Sequence, residues 1–482
     1  MVDPISYNLA RKVFLEMCTP PYSAIVCKDG STVWAEDASG KTIASGESGV
    51  DDASVIQSAI NAIDKGKISL SANDFTLATP IKLKSFISLI GQGPRCTRLL
   101  IKEGNTHAIE IYGDSAASED RVQRVEIRDL SICQASGGID KNLDGCRIKW
   151  AELLYINNVY IDWVGGRGFD IQSLWESFFT NLRIIAGNVD FGTEAVRITD
   201  TEGGTVNDSS NHLIFENIII GGYGRLVTIE GHSNASAPHG ITFINVESES
   251  PLDSNVDYAY YFNWAYLIKM SQVHNFNIHS NIFYVKDISR LFISDSEFMI
   301  NNTISGKQGF EISNSRLYLV NSRFTATGRV IATPTTFIQE IKAANCKFTS
   351  LESDATYWLQ ALDKIMFVSC EFEGASGCYG LHVNGADNGC YLENIHSTPN
   401  TSIKDAIKNS GTATFSGDGT TTQFSIAHGL VSTPTKVLVT PMTADAASDF
   451  YVTADDTNIY INYKSAPPSG TDNLKFSWLA EV

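Results

Sequence analysis

Three glutamates, a histidine and a dense run of aromatic rings stand close together between residues 247 and 300. Glu247 and Glu249 lie in FINVESE, Asn277 and His279 in VHNFNIH, and Glu297 in ISDSEF. Paired carboxylates are the usual equipment for general acid–base work on glycosidic bonds. Between them, residues 257–266 (DYAYYFNWAY) supply Tyr258, Tyr260 and Trp264, with Tyr261 and Tyr266 alongside. Flat amphipathic rings beside carboxylates suit a sugar, whose C–H face covers the ring while its hydroxyls meet the polar groups. Glu247, Glu249 and Glu297 are therefore the candidate acid and base. Asn277, His279, Tyr258, Tyr260 and Trp264 are the candidate substrate-binding groups. The competing reading is plain: outward charges are solvated, and half of an alternating aromatic run packs inward.

What would position these residues is a six-residue phrase written twelve times. It reads apolar, any, Asn/Asp/Ser, apolar or small, exposed, apolar, and most copies recur after roughly 19 to 36 residues, the range of solenoid repeats. Its third position is Asp129, Asn158, Asn181, Asn217, Asn245, Asn275, Asp295, Asn314, Asn321, Asn345, Ser369 and Asn394. Asn and Asp tolerate left-handed backbone better than other side chains, so each copy predicts a sharp corner between two short strands. The residues after the corner alternate in and out. Leu130, Val159, Phe276, Ser296 and Cys346 fall in one inward column; Ile132, Ile161 and Phe298 fall in another; Glu247, Asn277 and Glu297 face outward. The expected fold is all-β, a parallel β-helix from about 66 to about 405. Two rung spacings would put Glu247 and Glu297 roughly 10 Å apart, near the upper limit for an inverting glycosidase. Asn314 and Asn321 are too close to be one coil apart, which predicts two corners of a single coil.

Three regions surround or interrupt this pattern. Residues 1–48 read as a helix over 3–17 followed by a small β-meander over 23–47, with turns at Asp29-Gly30 and Ser39-Gly40. A capped amphipathic helix at about 52–64 opens the 49–405 region and would cover the exposed end of the solenoid. Residues 410–482 alternate in short strands separated by turn signals, which predicts a small β-sandwich. So short a module has a marginal core alone, and a homotrimer through this end is expected. Asp445, Asp449, Asp455 and Asp456 match no known calcium loop and read as solvated turns. No metal or cofactor is expected.

The runs GVDDASVIQSAINAI, KISLSANDFTLATPIKL and SFISLIGQGPRCTRLLI resemble the opening of the pectate-lyase-like right-handed β-helix superfamily, which includes viral tailspikes. The likeness is close over about 49–101 and extends to about 400 in pattern. It implies a right-handed β-helix with an N-terminal capping helix. It leaves activity open, since such folds include lyases, hydrolases and inert adhesins. The triplet Arg147-Ile148-Lys149 occurs in polygalacturonases, but that family's partner motifs are missing, so it reads as coil sequence.

Composition narrows the functions. The chain of 482 residues carries a formal net charge of −18, which argues against a nucleic-acid partner. No apolar run is long enough for membrane insertion. Nine cysteines form no CxxC pair, and Cys346 and Cys370 fall in one inward column, where buried thiols act as small apolar groups. Residues 1–22 have no basic n-region and no continuous apolar stretch, so they do not read as a signal peptide. The expectation is a virion-surface spike or tail-fibre protein that binds a host cell-surface glycan or receptor and joins other virion proteins through its N-terminal region. A polysaccharide lyase or glycoside hydrolase on the same scaffold, and a cell-surface structural adhesin, are the alternatives.

Overall fold

The computed structural model describes residues 22–135, 142–186, 194–200, 208–232, 236–249, 257–332, 338–351, 358–374, 382–384, 390–393, 395–398 and 408–482. The expected helix over 3–17 and the corner at Asn394 lie outside the described residues. The chain divides into two compact units, Met1–Asp253 and Ser254–Val482. The architecture is an all-β, right-handed parallel β-helix with a small C-terminal sandwich.

The first unit begins with the expected meander. Ala24–Lys28, Thr32–Asp37 and Thr42–Glu47 pair antiparallel in sequence order. The helix Asp52–Ala62 follows and buries Ala53, Val55, Ile56, Ala59 and Ile60. Its start differs from a simple cap: Asp51 makes no side-chain cap bond. Asp51 instead accepts from the Glu47 amide at 2.9 Å. Asp52 is fully buried and accepts from the Thr76 amide at 2.7 Å and the Gly49 amide at 2.9 Å, while pairing with Lys28. A buried carboxylate needs such partners, so the second aspartate ties the helix to the first strands. At the other side, Gln57 accepts from the Lys82 amide at 2.8 Å and donates to its carbonyl at 3.1 Å. Its side-chain amide supplies the hydrogen bonds a neighbouring strand would make.

The coils then stack in register. Leu89, Ile127, Ile156, Phe179, Phe215 and Phe243 form one column, with Phe179 and Phe215 rings 4.5 Å apart and Phe215 and Phe243 4.9 Å apart. Leu99, Ile132, Ile161, Ile184 and Ile220 form a second. Each corner residue is left-handed: Asp129, Asn158, Asn181, Asn217 and Asn245 have φ between 52 and 59. The corner side chains bond along the stack, Asn158 Nδ2 to Asp129 Oδ1 at 2.7 Å, Asn217 to Asn181 at 3.1 Å and Asn245 to Asn217 at 2.7 Å. Gly91 explains the G-x-G element: a Cβ there would lie 2.1 Å from the Asp129 carbonyl oxygen.

A two-column lattice of alternating charge covers one outer face. Glu110, Arg147, Asp170 and Arg197 stack in one column, beside His107, Asp144, Arg167, Glu194 and Arg225. Arg147 bonds Asp144 at 2.7 Å, and Arg167 reaches Asp170 and Glu194 at 3.0 Å each. Arg147 thus serves coil register, as the sequence reading of its triplet held.

In the second unit the left-handed strand-linking residues are Trp264, Gln272, Asn277, Asp287, Asp295, Asn314, Asn321, Asn345 and Ser369. Asn314 bonds Asp287 at 2.6 Å, while Asn321 bonds Asp295 at 3.0 Å and Asn345 bonds Asn321 at 3.3 Å. Asn314 and Asn321 therefore belong to two separate ladders, as their spacing predicted. Asn275 was misassigned: the register sets Gln272, φ 55, level with the Asp295 corner, and Asn275 three residues on is fully buried beside Phe298. Phe276 consequently turns outward and is 42% exposed.

After each corner the first unit uses Leu, Val or Ile, whereas this unit uses Ser296, Ser322, Cys346 and Cys370. Ser296 Oγ donates to the Ser294 carbonyl at 2.7 Å and accepts from the Val273 amide at 3.0 Å, which adds a hydrogen bond between coils. Cys346 and Cys370 are free thiols, buried as expected. Phe298, Phe324, Phe348 and Phe372 fill the core in a stack spaced 5.1–5.6 Å.

The C-terminal module is the expected sandwich. Lys408–Gly417, Gly470–Glu481 and Lys436–Pro441 make one antiparallel sheet, and Gln423–Ala427, Asn458–Tyr463 and Phe450–Ala454 make the other. Phe415, Phe424, Phe450, Tyr463 and Phe476 meet between them. The four aspartates hold local structure: Asp455 accepts from the Thr457 and Asn458 amides, Asp449 pairs Lys464 at 2.8 Å, Asp445 accepts from Asn473, and Asp456 from Thr433. Among the described residues no helix is long and apolar enough to cross a membrane.

The corners give a direct test. Asn321→Val places a β-branched residue at φ 50 and removes two ladder bonds; left-handed backbone alone costs about 1–2 kcal/mol. Asn321→Gly keeps the backbone at ease. In matched denaturation curves the valine variant should unfold first, the glycine variant close to the parent chain.

Candidate functional site

The second unit carries an open groove of about 550 Å³. Its rim is built rung by rung from one outward column: His274, Glu297, Arg323, Lys347 and Glu371 are consecutive register partners. The opposite rim is the corner ladder of Asp295, Asn321, Asn345 and Ser369, and Ser296, Ser322 and Cys346 form the floor. Glu297 pairs with Arg323 at 3.3 Å, and Lys347 bridges Glu371 at 3.4 Å and Glu373 at 2.6 Å. The Lys347 ammonium is pushed up, chiefly by its hydrogen bond to Glu373, and Glu373 is held down by the same bond. Charged donors and acceptors thus follow one another at the strand spacing of about 4.8 Å, two cations between two carboxylates, with the Asn321 and Asn345 amides opposite. Such a surface meets hydroxyl-rich chains better than apolar ones.

A second surface in the same unit comes from the aromatic run. Tyr261 and Tyr284 stack on adjacent rungs, 4.7 Å apart with planes within 4°. Tyr258 leans on Tyr284 at 5.2 Å, and its hydroxyl donates to the Glu311 carboxylate. Burial, then Glu311, push the Tyr258 hydroxyl well up, which keeps it a donor. Tyr284 and Glu311 were invisible to sequence reasoning, because only coil length brings them against Tyr258 and Tyr261.

The predicted site residues are therefore dispersed. Glu247 and Glu249 are exposed on Ile241–Glu249 of the first unit, with no ion pair or hydrogen bond among the described residues. Glu297, on the second unit, lines the groove. Asn277 is a corner residue whose Oδ1 accepts from Asn301. Trp264 is a half-buried corner residue with φ 55. Two assignments fail. Tyr260 is 1% exposed and stacks on Phe283 in the core at 4.9 Å. His279 is also buried rather than outward; Asn301 Nδ2 lies 3.2 Å from its Nε2. The Tyr260 failure follows from a locally broken alternation at Ala259-Tyr260, and that of His279 from a register irregularity between Asn275 and Ile278, where Asn277 is left-handed.

One further constellation was not anticipated. Asp200, fully buried in the first unit, accepts from the His232 amide at 2.9 Å, the His232 ring Nδ1 and the Ser236 hydroxyl. This fixes the imidazole with Nδ1–H toward the carboxylate.

Burial depresses the basicity of His279, and burial followed by Arg147 depresses that of His107. The unfolded chain protonates first, at about pH 6.5. Stability is therefore full above that pH and falls as pH drops toward the folded values. Thermal midpoints should decline from pH 7 to 5, and His279→Gln should flatten part of that slope.

No family model and no curated protein sequence matches this chain. Solved structures do. A double mutant of the tailspike protein of E. coli bacteriophage HK620 aligns over 92% of both chains at 10% identity, with a TM-score of 0.50. Another double mutant of that tailspike, in complex with a pentasaccharide, aligns over 92% of both chains at 11% identity and TM-score 0.48. ORF18 of Geobacillus virus E2 aligns over 97% of this chain and 81% of its own at 13% identity, with TM-score 0.42. At these identities the likeness concerns the fold, and the fold of this chain is a parallel β-helix of the phage-tailspike type.

Proposed function

We propose that this chain is a virion spike or tail-fibre protein that binds a glycan on the host surface. The observation carrying this reading is the groove of the second unit, where the adjacent cations Arg323 and Lys347 stand between Glu297 and Glu371, opposite Asp295, Asn321 and Asn345. Sugar residues in an extended chain repeat at a length close to one rung of a β-helix, so each sugar would meet one charged group and one amide. Residues 1–48 would attach to the particle, 49–405 would form the shaft, and 410–482 would hold three copies together. Exposed Leu438, Met442 and Tyr451 support that last role, as does the strand Lys436–Pro441, which pairs on one side only among the described residues.

A hydrolase or lyase reading is favoured by one observation: the Glu247 and Glu249 carboxylates are exposed and unpartnered among the described residues.

The deciding experiment combines solution mass with a panel of host-envelope polysaccharides. Binding without release of reducing ends or unsaturated sugars supports the spike. Release that disappears in Glu247→Gln with Glu297→Gln supports the enzyme, and a chain that binds no glycan overturns both. Arg323→Ala with Lys347→Ala removes two charged hydrogen-bond donors, each worth about 1.5–3 kcal/mol, so affinity should fall about tenfold or more. Leu438→Lys should shift the mass from trimer toward monomer.

A further inference from the structure

Two histidines of the first unit lie on adjacent rungs with their rings together. His212 follows the corner strand residue Asn211, and Asn211 is the register partner of His239. The ring centroids are 5.7 Å apart and the planes cross at 71°. Two imidazoles sharing one metal ion at about 2 Å, at a roughly tetrahedral angle, have centroids about 5–6 Å apart. The observed pair already has that separation.

The backbone builds this arrangement. His212 occupies a left-handed corner, φ 52. Its amide donates to the His239 carbonyl at 3.0 Å, and the His239 amide donates to the Ser210 carbonyl at 2.9 Å. The next rung's corner is Gly240, φ 69. A Cβ on Gly240 would stand 3.2 Å from His212 Cδ2, so the glycine leaves room for the imidazole to lean toward His239. One ring nitrogen of His239 bonds the Ala237 carbonyl. Metal-bound histidines are oriented by the same kind of outer partner.

A third donor is at hand. Asn211 Oδ1 is buried and has no hydrogen-bond partner among the described residues. Buried polar atoms left unpaired are uncommon and call for an explanation. No group of three or more His, Cys, Asp or Glu side chains suited to a metal occurs among the described residues. The site therefore offers two imidazoles, with an amide oxygen beside them and the remaining positions left to water.

We propose that His212 and His239 form a binding site for a divalent transition metal of the zinc, nickel and copper class, with Asn211 as the adjoining oxygen donor. Imidazole selects these ions over magnesium and calcium. His212 is exposed and His239 half-buried, so the ion enters from solvent and staples two consecutive coils. Burial, and then the neighbouring His212, lower the basicity of His239, which leaves its ring in the neutral, ligating form at neutral pH.

The test is calorimetric titration of the tag-free full chain with zinc chloride at pH 7.5, followed by cobalt absorption spectra. The expected result is one zinc per chain with micromolar affinity, and no heat with magnesium. His212→Asn keeps a residue at ease in the left-handed corner, and His239→Ala removes the partner. Either should weaken zinc at least tenfold with the circular dichroism spectrum unchanged, while His274→Ala leaves binding as it was. Zinc bound with equal affinity by the His212→Asn, His239→Ala double variant, or no binding up to millimolar zinc, overturns the proposal. Glycan binding has no part in the readout.

Discussion

The constraint on which this molecule depends is a corner that only a few side chains accept. Each coil must turn sharply between strands, and the left-handed residue at the turn in the repeated phrase is most often asparagine or aspartate, with Gln272 and Ser369 standing at the same place in two coils. The choice also solves a second problem, because a carboxamide has both a donor and an acceptor. Each Nδ2 donates back to the preceding coil. Aspartate can serve only as the acceptor, and it does so for Asn158 at Asp129, for Asn321 at Asp295 and for Asn314 at Asp287; in the Asn181, Asn217, Asn245 run asparagine fills both roles.

Once the corners are fixed, strand alternation sorts the remaining residues, and the two units use the outer positions differently. The first surrounds its face with ion pairs that satisfy one another, Arg147 with Asp144 and Arg167 with Asp170 and Glu194. Such a lattice fixes register and leaves little charge for a ligand. The second unit replaces Leu and Ile behind the corner with Ser and Cys. Serine there contributes a bond between coils, so the inward column of this unit adds hydrogen bonds where the first unit adds apolar packing.

Most of the fold was legible because the corner has a short list of tolerated residues and the strands have a period of two. In VHNFNI the phrase points to Asn275, whereas the corner is Gln272, a residue type outside the short list, so only backbone geometry and register reveal it. Tyr260 was misplaced because two consecutive residues, Ala259 and Tyr260, are both buried. The groove could be reached from Glu297 alone. Arg323, Lys347 and Glu371 join it through coil length, and the Tyr284–Glu311 contacts and the His212–His239 pair arise the same way.

The Gln57 amide has a consequence for how the solenoid ends. Parallel strands carry no internal stop: the last rung presents the same unsatisfied N–H and C=O groups that would receive a further rung. By bonding both backbone groups of Lys82, one side chain on the helix imitates that next strand and then offers nothing beyond itself. The helix behaves as a chain terminator. Together with Ala24–Lys28 paired on Gly66–Leu70 and the Asp52 bond to the Thr76 amide, it closes an edge that would otherwise be open to recruitment of strands from other chains.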